Sequence, residues 1–309
     1  MDKKSQKTDI TNTVKRSLEM ENILKIRNLR KEYKEFVLDN ISWDISKGYI
    51  TGLIGPNGAG KTTTIKLIMN LIKSDGGEVE VFGLDHKAND IEVKNRVGYV
   101  GEEQFFYEHR SANWTGKFVS HFFTDWDMEQ YQKLLEKFEL PKKKMIRKFS
   151  KGMRVKLSLA IALSHNPELI ILDEPTAGLD PIIRRDVLDF LQNITQNGDK
   201  SVLISSHITD DIARIADTIT YMINGRIALT SAKDDLLANW KRIHYSKGAI
   251  DQNILKNLEQ VEDHAFGGSG ITRDYFQIKD SLSQGLAHGD IKVENVGLDD
   301  ILISLVKGL

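Results

Sequence analysis

Residues 49–72 read YITGLIGPNGAGKTTTIKLIMNLI and join three patterns in a fixed order. The first residues, YITGLIG, are mostly apolar and branched, which is typical of a buried strand. A glycine-rich turn follows, and then a helical pattern whose apolar face carries Ile65, Ile68, Met69 and Ile72. A strand, a glycine-rich turn and a helix in that order predict an anion site, because the first N–H groups of a helix are unpaired.

The turn itself matches a phosphate-binding pattern. Residues 55–62, GPNGAGKT, fit G-x-x-x-x-G-K-[ST], the Walker A loop. Glycines let backbone N–H groups point inward, Lys61 adds a positive charge for the β- and γ-phosphates, and Thr62 offers a hydroxyl to Mg²⁺. The predicted ATP-binding residues of this segment are Asn57, Gly58, Ala59, Gly60, Lys61, Thr62 and Thr63.

Two carboxylates end a second apolar strand. Residues 169–174 read LIILDE, and the carboxyl ends of strands are where ligands bind in open α/β sheets. Asp173 suits a Mg²⁺ partner, through water, because Mg²⁺ keeps much of its hydration shell. Glu174 is then placed to orient or deprotonate an attacking water. Without the Walker A loop, a solvated acidic pair at a strand end would be the simpler interpretation.

Strand and helix patterns alternate along most of the chain. Residues 23–29 and 36–45 read ILKIRNL and FVLDNISWDI and predict an N-terminal antiparallel β part. Residues 201–206, SVLISS, form a further buried strand. The alternation predicts an α/β fold with a mainly parallel central sheet, and the Walker A loop makes a P-loop NTPase the expected fold class. From about 104 to 166 strand patterns are absent, and segments such as MEQYQKLLEKFEL predict a helical insertion.

The two ends of the chain differ from this core. Residues 1–19 are polar, and we expect them to be disordered or loosely helical. After about residue 233 the pattern weakens into mixed strand and loop sequence, and a small C-terminal extension, 233–309, is predicted beyond a main domain, 20–232. The extension ends in an amphipathic helix, for which structural packing is the default interpretation. Its apolar positions are Leu298, Ile301, Leu302, Leu305, Val306 and Leu309.

Composition excludes several classes of function. The 43 Lys and Arg residues are balanced by 44 Asp and Glu residues, so no nucleic-acid partner is expected. The chain has no cysteine, which excludes a disulfide framework and Cys-based zinc sites. No run approaches the roughly 18–20 apolar residues of a membrane span, and the polar N-terminus lacks the apolar core of a secretory signal. We expect a chain that is neither membrane-embedded nor secreted.

From about residue 20 to residue 230 the sequence resembles the ATP-binding subunits of ABC transporters. Residues 149–153, FSKGM, precede LIILDE and are similar to the family signature LSGGQ in a divergent form. In the family this segment begins a helix that caps the γ-phosphate of ATP on the opposite subunit. The resemblance therefore implies that Ser150 and Gly152 bind ATP in trans. On its own the segment would be a Ser-capped helix.

The resemblance also implies roles for an aromatic residue and a histidine. Tyr33 matches the family's adenine-stacking aromatic residue, with Phe36 as a nearby alternative. His207 follows directly after SVLISS and matches the switch histidine, which contacts the γ-phosphate and helps to hold the transition state. Outside this context, a histidine beside a strand would be interpreted as structural. Glu174 and His207 are the predicted catalytic residues.

Two loops complete the comparison with the family. Residues 175–180, PTAGLD, resemble the D-loop that crosses the dimer interface, although Asp180 is also a standard helix N-cap. After VGYV (97–100) the family places Pro-Gln, and that glutamine touches Mg²⁺ and senses the transmembrane partner. Glu102 holds its place here, which makes Glu102 a predicted metal partner beside Thr62 and Asp173; Gln104 is the alternative.

One chain carries one Walker A loop and one signature, so the resemblance implies a homo- or heterodimer with two ATP molecules between its subunits. ATP binding would close the pair and hydrolysis would reopen it. A separate transmembrane permease is implied, docked near 102–126, which places the subunit peripherally at the cytoplasmic face of the membrane. FSKGM and the C-terminal sequence VENVGLDDILISLVKG resemble bacterial exporter-type ATPases with a YSKGM-like signature.

Other functions remain open at this level. A non-transport ABC ATPase of translation or DNA repair usually carries two cassettes, coiled-coil arms or a basic surface. The single Walker A loop and the balanced charge of this sequence make that alternative the weaker one. A P-loop GTPase or kinase would not account for FSKGM or His207, and the N-K-x-D motif of a GTPase is absent from the sequence. An importer ATPase remains possible within the family, because the sequence sets neither the substrate nor the direction of transport.

Overall fold

The computed structural model describes residues 21–308, so the predicted leader (1–19) lies outside the described residues. The strands are β1 (Asn22–Glu32), β2 (Val37–Ser46), β3 (Ile50–Ile54), β4 (Gly76–Val81), β5 (Leu84–Asp85), β6 (Val97–Val100), β7 (Leu169–Asp173), β8 (Ser201–Ser206), β9 (Thr218–Ile223), β10 (Arg226–Ala232), β11 (Lys241–Ser246), β12 (Glu259–His264), β13 (Gly267–Thr272) and β14 (Ile291–Asn295).

The helices alternate with these strands in the middle of the chain and cluster in two other places. They are α1 (Lys61–Ile68), α2 (Asp90–Arg96), α3 (Ala112–Val119), α4 (Met128–Lys137), α5 (Lys151–Leu163), α6 (Pro181–Thr195), α7 (Thr209–Ile215), α8 (Lys233–Asn239), α9 (Gln252–Leu255), α10 (Tyr275–His288) and α11 (Leu298–Lys307). In residues 21–308, no helix combines the length and apolarity that a bilayer crossing needs.

The central sheet has the order β10-β9-β3-β8-β7-β6. All its pairs are parallel except the antiparallel pair of β9 and β10. Each face covers a separate core, because successive side chains of a strand point to opposite faces. In β7, Leu169 and Ile171 join one buried cluster, whereas Ile170 and Leu172 join the other. This two-sided burial explains why the strand is an uninterrupted apolar run.

The N-terminal antiparallel sheet has the order β2-β1-β4-β5 and covers one face of the central sheet. Its strand β2 alternates buried and exposed residues because one side faces the core and the other faces solvent. The helical insertion lies between β6 and β7 and contains α3, α4 and α5. Their N-caps are Ser111, Asp127 and Ser150, and each side chain accepts a hydrogen bond from a first-turn N–H. The predicted fold class is confirmed.

Two helices differ from the sequence pattern. Helix α1 ends at Ile68, although its apolar pattern continues to Ile72, because Asn70 takes a left-handed conformation with φ of 50°. Helix α10 lies where only strand and loop sequence was recognised. Its fully buried residues are Ile278 and Leu282, so its apolar stripe is too narrow for the sequence pattern to stand out.

The C-terminal region forms a third sheet in the order β12-β13-β11-β14, with its own small core that includes Ile243, Ile278 and Leu282. Helix α11 instead joins the main core, in the same buried cluster as residues of α7. The division of the chain at residues 232 and 233 stays a prediction, and the buried side of α11 bridges it.

Candidate active site

The Walker A loop connects the carboxyl end of β3, an interior strand of the central sheet, to α1. Gly58 and Gly60 have φ of 79° and 109°, which side-chain-bearing residues rarely adopt. A Cβ on Gly60 would also lie 2.9 Å from the Phe36 ring. Both glycines are therefore required by backbone conformation, and the second also by close packing.

Lys61 is the first residue of α1, and its side chain is only 6% exposed. Its ammonium group donates a hydrogen bond to the carbonyl oxygen of Gly55 over 2.7 Å. The same Nζ lies 3.2 Å from Glu174 Oε1. A buried ammonium requires such partners, because burying an unpaired charge is costly. The pair brings the predicted phosphate ligand and the predicted catalytic carboxylate together.

Glu174 lies directly after β7 in a left-handed conformation, with φ of 50°. Such a conformation costs a non-glycine residue about 1–3 kcal/mol and tends to occur at functional sites. It directs the carboxylate toward Lys61 on one side and toward His207 on the other. His207 Nδ1 lies 2.7 Å from Glu174 Oε2, and the His207 backbone N–H donates to the same oxygen over 3.3 Å. The two predicted catalytic residues are therefore in direct contact.

Asp173 is fully buried at the end of β7, one residue before the catalytic candidate. Its Oδ1 accepts a hydrogen bond from Ser205 Oγ over 2.6 Å. Ser205 Oγ in turn accepts from the Glu174 backbone N–H over 3.0 Å. Within the described residues, Asp173 Oδ2 is buried and has no hydrogen-bond partner. A buried carboxylate oxygen left unpaired by the protein is suited to a metal-bound water.

A cavity of about 720 Å³ lies above the Walker A loop. It unites most of the predicted site: Glu102, Glu174 and His207 line it together with every predicted loop residue, Asn57, Gly58, Ala59, Gly60, Lys61, Thr62 and Thr63. The cavity therefore combines a positive charge, a helix N-terminus and a carboxylate–histidine pair, which is a chemistry suited to holding and hydrolysing a phosphate chain.

The three predicted metal partners meet in a neighbouring groove. Thr62, Glu102 and Asp173 all line it, and Glu102 also lines the phosphate cavity. Burial raises the pKa of Tyr99 to about 12, and the charges of Asp173 and Glu102 act in the same direction. Hydroxyl and carboxylate oxygens fit Mg²⁺, and the unpaired Asp173 Oδ2 supports that fit. The alternative, Gln104, donates its side-chain amide to the carbonyl oxygens of Gly101 and Glu102.

Several predicted residues lie outside this cavity. Phe36 lines it and Tyr33 does not, so the assignment of Tyr33 to adenine stacking stays a prediction. Ser150 caps α5 and accepts a hydrogen bond from the Met153 N–H over 3.2 Å. A Cβ on Gly152 would lie 2.8 Å from Ile183 of α6, so this glycine allows the two helices to approach. The action of Ser150 and Gly152 in trans also stays a prediction.

Sequence inspection missed Ser205 as part of the site. Its hydroxyl donates to the Asp173 carboxylate and accepts from the Glu174 backbone N–H, although Ser205 belongs to β8. The parallel register places Ser205 beside Asp173, and this pairing is the signal that could have identified it. Two serines end β8, and only the register between the strands distinguishes them.

Comparisons with known proteins identify the family of this chain. The ABC transporter family profile matches residues 38–177. The sequence is 35% identical over 301 residues to the bacitracin transport ATP-binding protein BcrA of Enterococcus faecalis, a match that covers 94% of this chain and 98% of that protein. The chain belongs to the ABC transporter family of ATP-binding proteins. Members of this ABC ATPase family bind and hydrolyse ATP and are subunits of membrane transporters.

A second sequence relative and a solved structure are also similar to this ABC ATPase. The BcrA protein of Bacillus licheniformis is 30% identical over 303 residues, which covers 94% of this chain and 99% of that protein. A solved ATP-binding subunit of an ABC transporter is 26% identical with a TM-score of 0.64, and the match covers 70% of this chain and 92% of that chain. A match over 94% of the chain cannot be confined to residues 20–232, so both alignments with BcrA proteins continue beyond residue 232.

Proposed function

We propose that this chain hydrolyses ATP to power an exporter, with Lys61, Glu174 and His207 as the centre of the site. The observation that carries this proposal is the contact of Glu174 with both Lys61 and His207 in one cavity at the strand ends. Residues 20–232 form the ATPase domain in this proposal, and residues 233–309 form the extension.

The residues divide the chemistry between holding the phosphates and activating water. The loop N–H groups and Lys61 hold the β- and γ-phosphates, and phosphate oxygens replace Glu174 as the main partner of Lys61. This exchange frees the Glu174 carboxylate to orient or deprotonate the attacking water. His207 then donates one hydrogen bond from its ring toward the γ-phosphate, while its backbone N–H keeps the segment against Glu174 Oε2.

Thr62, Asp173 and Glu102 would hold Mg²⁺ beside the phosphates. The metal ion would neutralise charge on the transferred phosphoryl group. Asp173 would act through a water bound to its Oδ2. This oxygen has no hydrogen-bond partner among the described residues, whereas Oδ1 already accepts from Ser205. Glu102 replaces the family's glutamine, so the metal site carries one more negative charge than usual.

A second subunit and a permease complete the proposal. The N-terminus of α5, with Ser150 and Gly152, would cap ATP bound to the opposite subunit, so that ATP binding closes a dimer and hydrolysis reopens it. An aromatic surface at the helical insertion, with Tyr107 exposed and Trp114 and Phe118 half-buried, would receive the permease at the cytoplasmic face of the membrane. In it, Trp114 and Phe118 stack with ring centroids 5.0 Å apart, and Tyr107 packs edge-on against both rings.

Export is supported by the relatives whose alignments continue beyond residue 232. Both BcrA proteins are bacitracin transport ATP-binding proteins, and their matches cover 98% and 99% of their own lengths. We therefore propose a peptide antibiotic as the class of substrate. Cells that express the chain with its permease should gain resistance to bacitracin, and the Glu174→Gln variant should lose that gain. Equal resistance in cells with the wild-type chain and in cells with Glu174→Gln would contradict ATP-driven export of this substrate.

The catalytic assignment is tested by Glu174→Gln in the purified protein. Turnover of ATP should fall by about 100-fold or more, the usual range for loss of a general base. The affinity for ATP should be retained, and light scattering should detect an ATP-dependent dimer that no longer dissociates. Glu129→Gln is the matched control, because Glu129 is exposed and pairs with Lys133 on α4. Unchanged turnover in Glu174→Gln would remove Glu174 from this role.

A further inference from the structure

Helix α11, near the C-terminal end of the chain, lies between the third sheet and the ATPase core. Leu298, Ile301 and Leu305 belong to the same buried cluster as Ile212 and Ile215 of α7. Two polar contacts join α11 to the extension: Asp300 accepts a hydrogen bond from Arg242 over 3.0 Å, and the buried Ser304 donates to Glu259 over 2.7 Å. The helix is therefore fixed to the extension by polar contacts and to the core by apolar burial.

One polar contact crosses from α11 to the start of α7. Thr209 Oγ1 donates a hydrogen bond to Asp299 Oδ1 over 2.5 Å, although the two residues are 90 positions apart in the chain. Thr209 is 4% exposed. A buried hydroxyl bonded to a carboxylate is a charge-assisted contact, which is stronger than one between neutral groups. Beside it, the Tyr221 hydroxyl donates to the Leu298 carbonyl oxygen over 3.1 Å.

His207 lies between this contact and the end of β8. Strand β8 ends at Ser206, which is fully buried, and Ser206 Oγ accepts from the Ile208 N–H over 2.9 Å. Thr209 then begins α7. The segment that carries His207 is thus two residues long and is anchored at both ends. Fixing such a segment restricts its backbone dihedral angles, and these angles decide where the imidazole ring lies.

Helix α7 is also anchored on its other side. Arg184 of α6 donates through Nε to Asp211 Oδ1 over 2.5 Å, and Asp211 is 3% exposed. Helix α6 begins at the predicted D-loop, where Asp180 accepts from the Ile183 N–H over 3.0 Å. The short helix after His207 is therefore held between the D-loop helix and the C-terminal helix.

We propose that Asp299, acting through Thr209, positions the His207 segment, so that the C-terminal extension sets the rate of ATP turnover. On the basis of the ATP hydrolysis proposed above, His207 must hold its ring against Glu174 and the γ-phosphate. A displacement of about 1 Å at such a group can cost up to about 100-fold in rate. Asp299 is a positioning residue, because it touches Thr209 and lies outside the phosphate cavity.

A positioning role separates kcat from KM. The loop and Lys61 bind the phosphates, and neither contacts Thr209 or Asp299, so the KM for ATP should stay within about twofold. Thr209→Val removes the hydroxyl at nearly constant volume, and Asp299→Ala removes the acceptor. Each should lower kcat by about five- to tenfold, in line with loss of a charge-assisted hydrogen bond. Thr209→Ser keeps the hydroxyl and should therefore retain the wild-type kcat.

The experiment compares ATPase kinetics of the full chain in these variants. The double variant Thr209→Val/Asp299→Ala should be no slower than either single variant, because both remove the same contact. Ser304→Ala is the matched control: it removes a hydrogen bond from α11 to Glu259 and leaves the contact with α7 intact. It should keep the wild-type kcat.

Three outcomes would overturn the positioning role. Wild-type kcat in Thr209→Val, an additive loss of kcat in the double variant, or a lowered kcat in Thr209→Ser would each contradict positioning of His207 through the hydrogen bond of Thr209 with Asp299. These failures differ from failure of the proposed function, in which the wild-type chain itself hydrolyses no ATP or Glu174→Gln turns over normally.

Discussion

The phosphate cavity and the junction of α11 with α7 are both built from polar contacts between distant parts of the chain, but only the cavity residues belong to recognisable motifs. At the cavity, each group belongs to a short motif that follows a strand of the central sheet. At the junction, Thr209 and Asp299 are 90 positions apart and neither belongs to a motif. Function concentrated in motifs can therefore be recognised in a sequence, whereas a contact that controls a motif residue from afar cannot.

The largest expected effect is loss of nucleotide binding at the cavity. Lys61→Ala removes the buried positive charge. The affinity for ATP should fall by about 100- to 1,000-fold, because the charge-assisted hydrogen bonds of the ammonium group to the β- and γ-phosphates are lost together. Isothermal titration with ATP measures this change. Lys73→Ala, a few residues after the same helix, is the control, because Lys73 is exposed and lines neither the phosphate cavity nor the neighbouring groove. Equal affinity in Lys61→Ala would remove the lysine from phosphate binding.

A change at the junction should affect stability and leave binding intact. Ile301→Ala empties a fully buried position of α11, and the free energy of unfolding should fall by about 2–4 kcal/mol. The affinity for ATP should stay within about twofold, because the cavity is lined by other elements. Chemical denaturation and ATP titration measure the two quantities. In the matched variant Ile303→Ala the side chain is 47% exposed, and stability should change by less than about 0.5 kcal/mol.

A simultaneous loss of ATP affinity in Ile301→Ala would break the contrast between the two regions. It would show that α11 supports the phosphate loop itself rather than only the segment after β8.

The smallest expected effect is a dependence of stability on pH within the ATPase core. Burial lowers the pKa of His165, whose ring stacks on Phe123 with centroids 4.1 Å apart. Below about pH 6.5 the unfolded chain therefore binds more protons than the folded chain, so stability falls as the pH drops. The effect should be about 1 kcal/mol between pH 7 and pH 5.5.

Melting temperatures of the wild type and His165→Phe across this pH range measure the effect. The variant has no titrating group at this position, so its melting temperature should depend less on pH. Hydrogen exchange should locate the loss of protection around β6 and α5, since His165 Nε2 lies 3.2 Å from the carbonyl oxygen of Val97. Identical pH profiles would exclude His165 as the source.

Most of the site could be predicted because its groups lie at fixed positions within motifs. Lys61, Asp173 and Glu174 each follow a recognisable strand or loop, and strands of a parallel sheet bring their carboxyl ends together. Ser205 could not be predicted as a partner of Asp173, because the register of β7 and β8 is needed to choose between two adjacent serines. Phe36 lines the cavity and Tyr33 does not, a difference that depends on how the N-terminal sheet packs on the loop.

The fold could be predicted where hydrophobic periodicity was strong and short-ranged. The central strands are apolar on both faces, and α11 has a wide apolar stripe, so both were recognised. Helix α10 was missed, because Ile278 and Leu282 are its only fully buried residues among those described. A narrow stripe of this kind becomes meaningful only once the third sheet is there to cover it.

By itself, the sequence determined the phosphate loop, the paired carboxylates, the histidine after β8 and the α/β fold that carries them. Each depends on chemistry and periodicity within a few residues. Only the tertiary structure decided that Glu174 bridges Lys61 and His207 and that Asp299 reaches Thr209. Contacts between distant segments depend on strand register and helix packing, which arise from the burial of the whole core rather than from any local pattern.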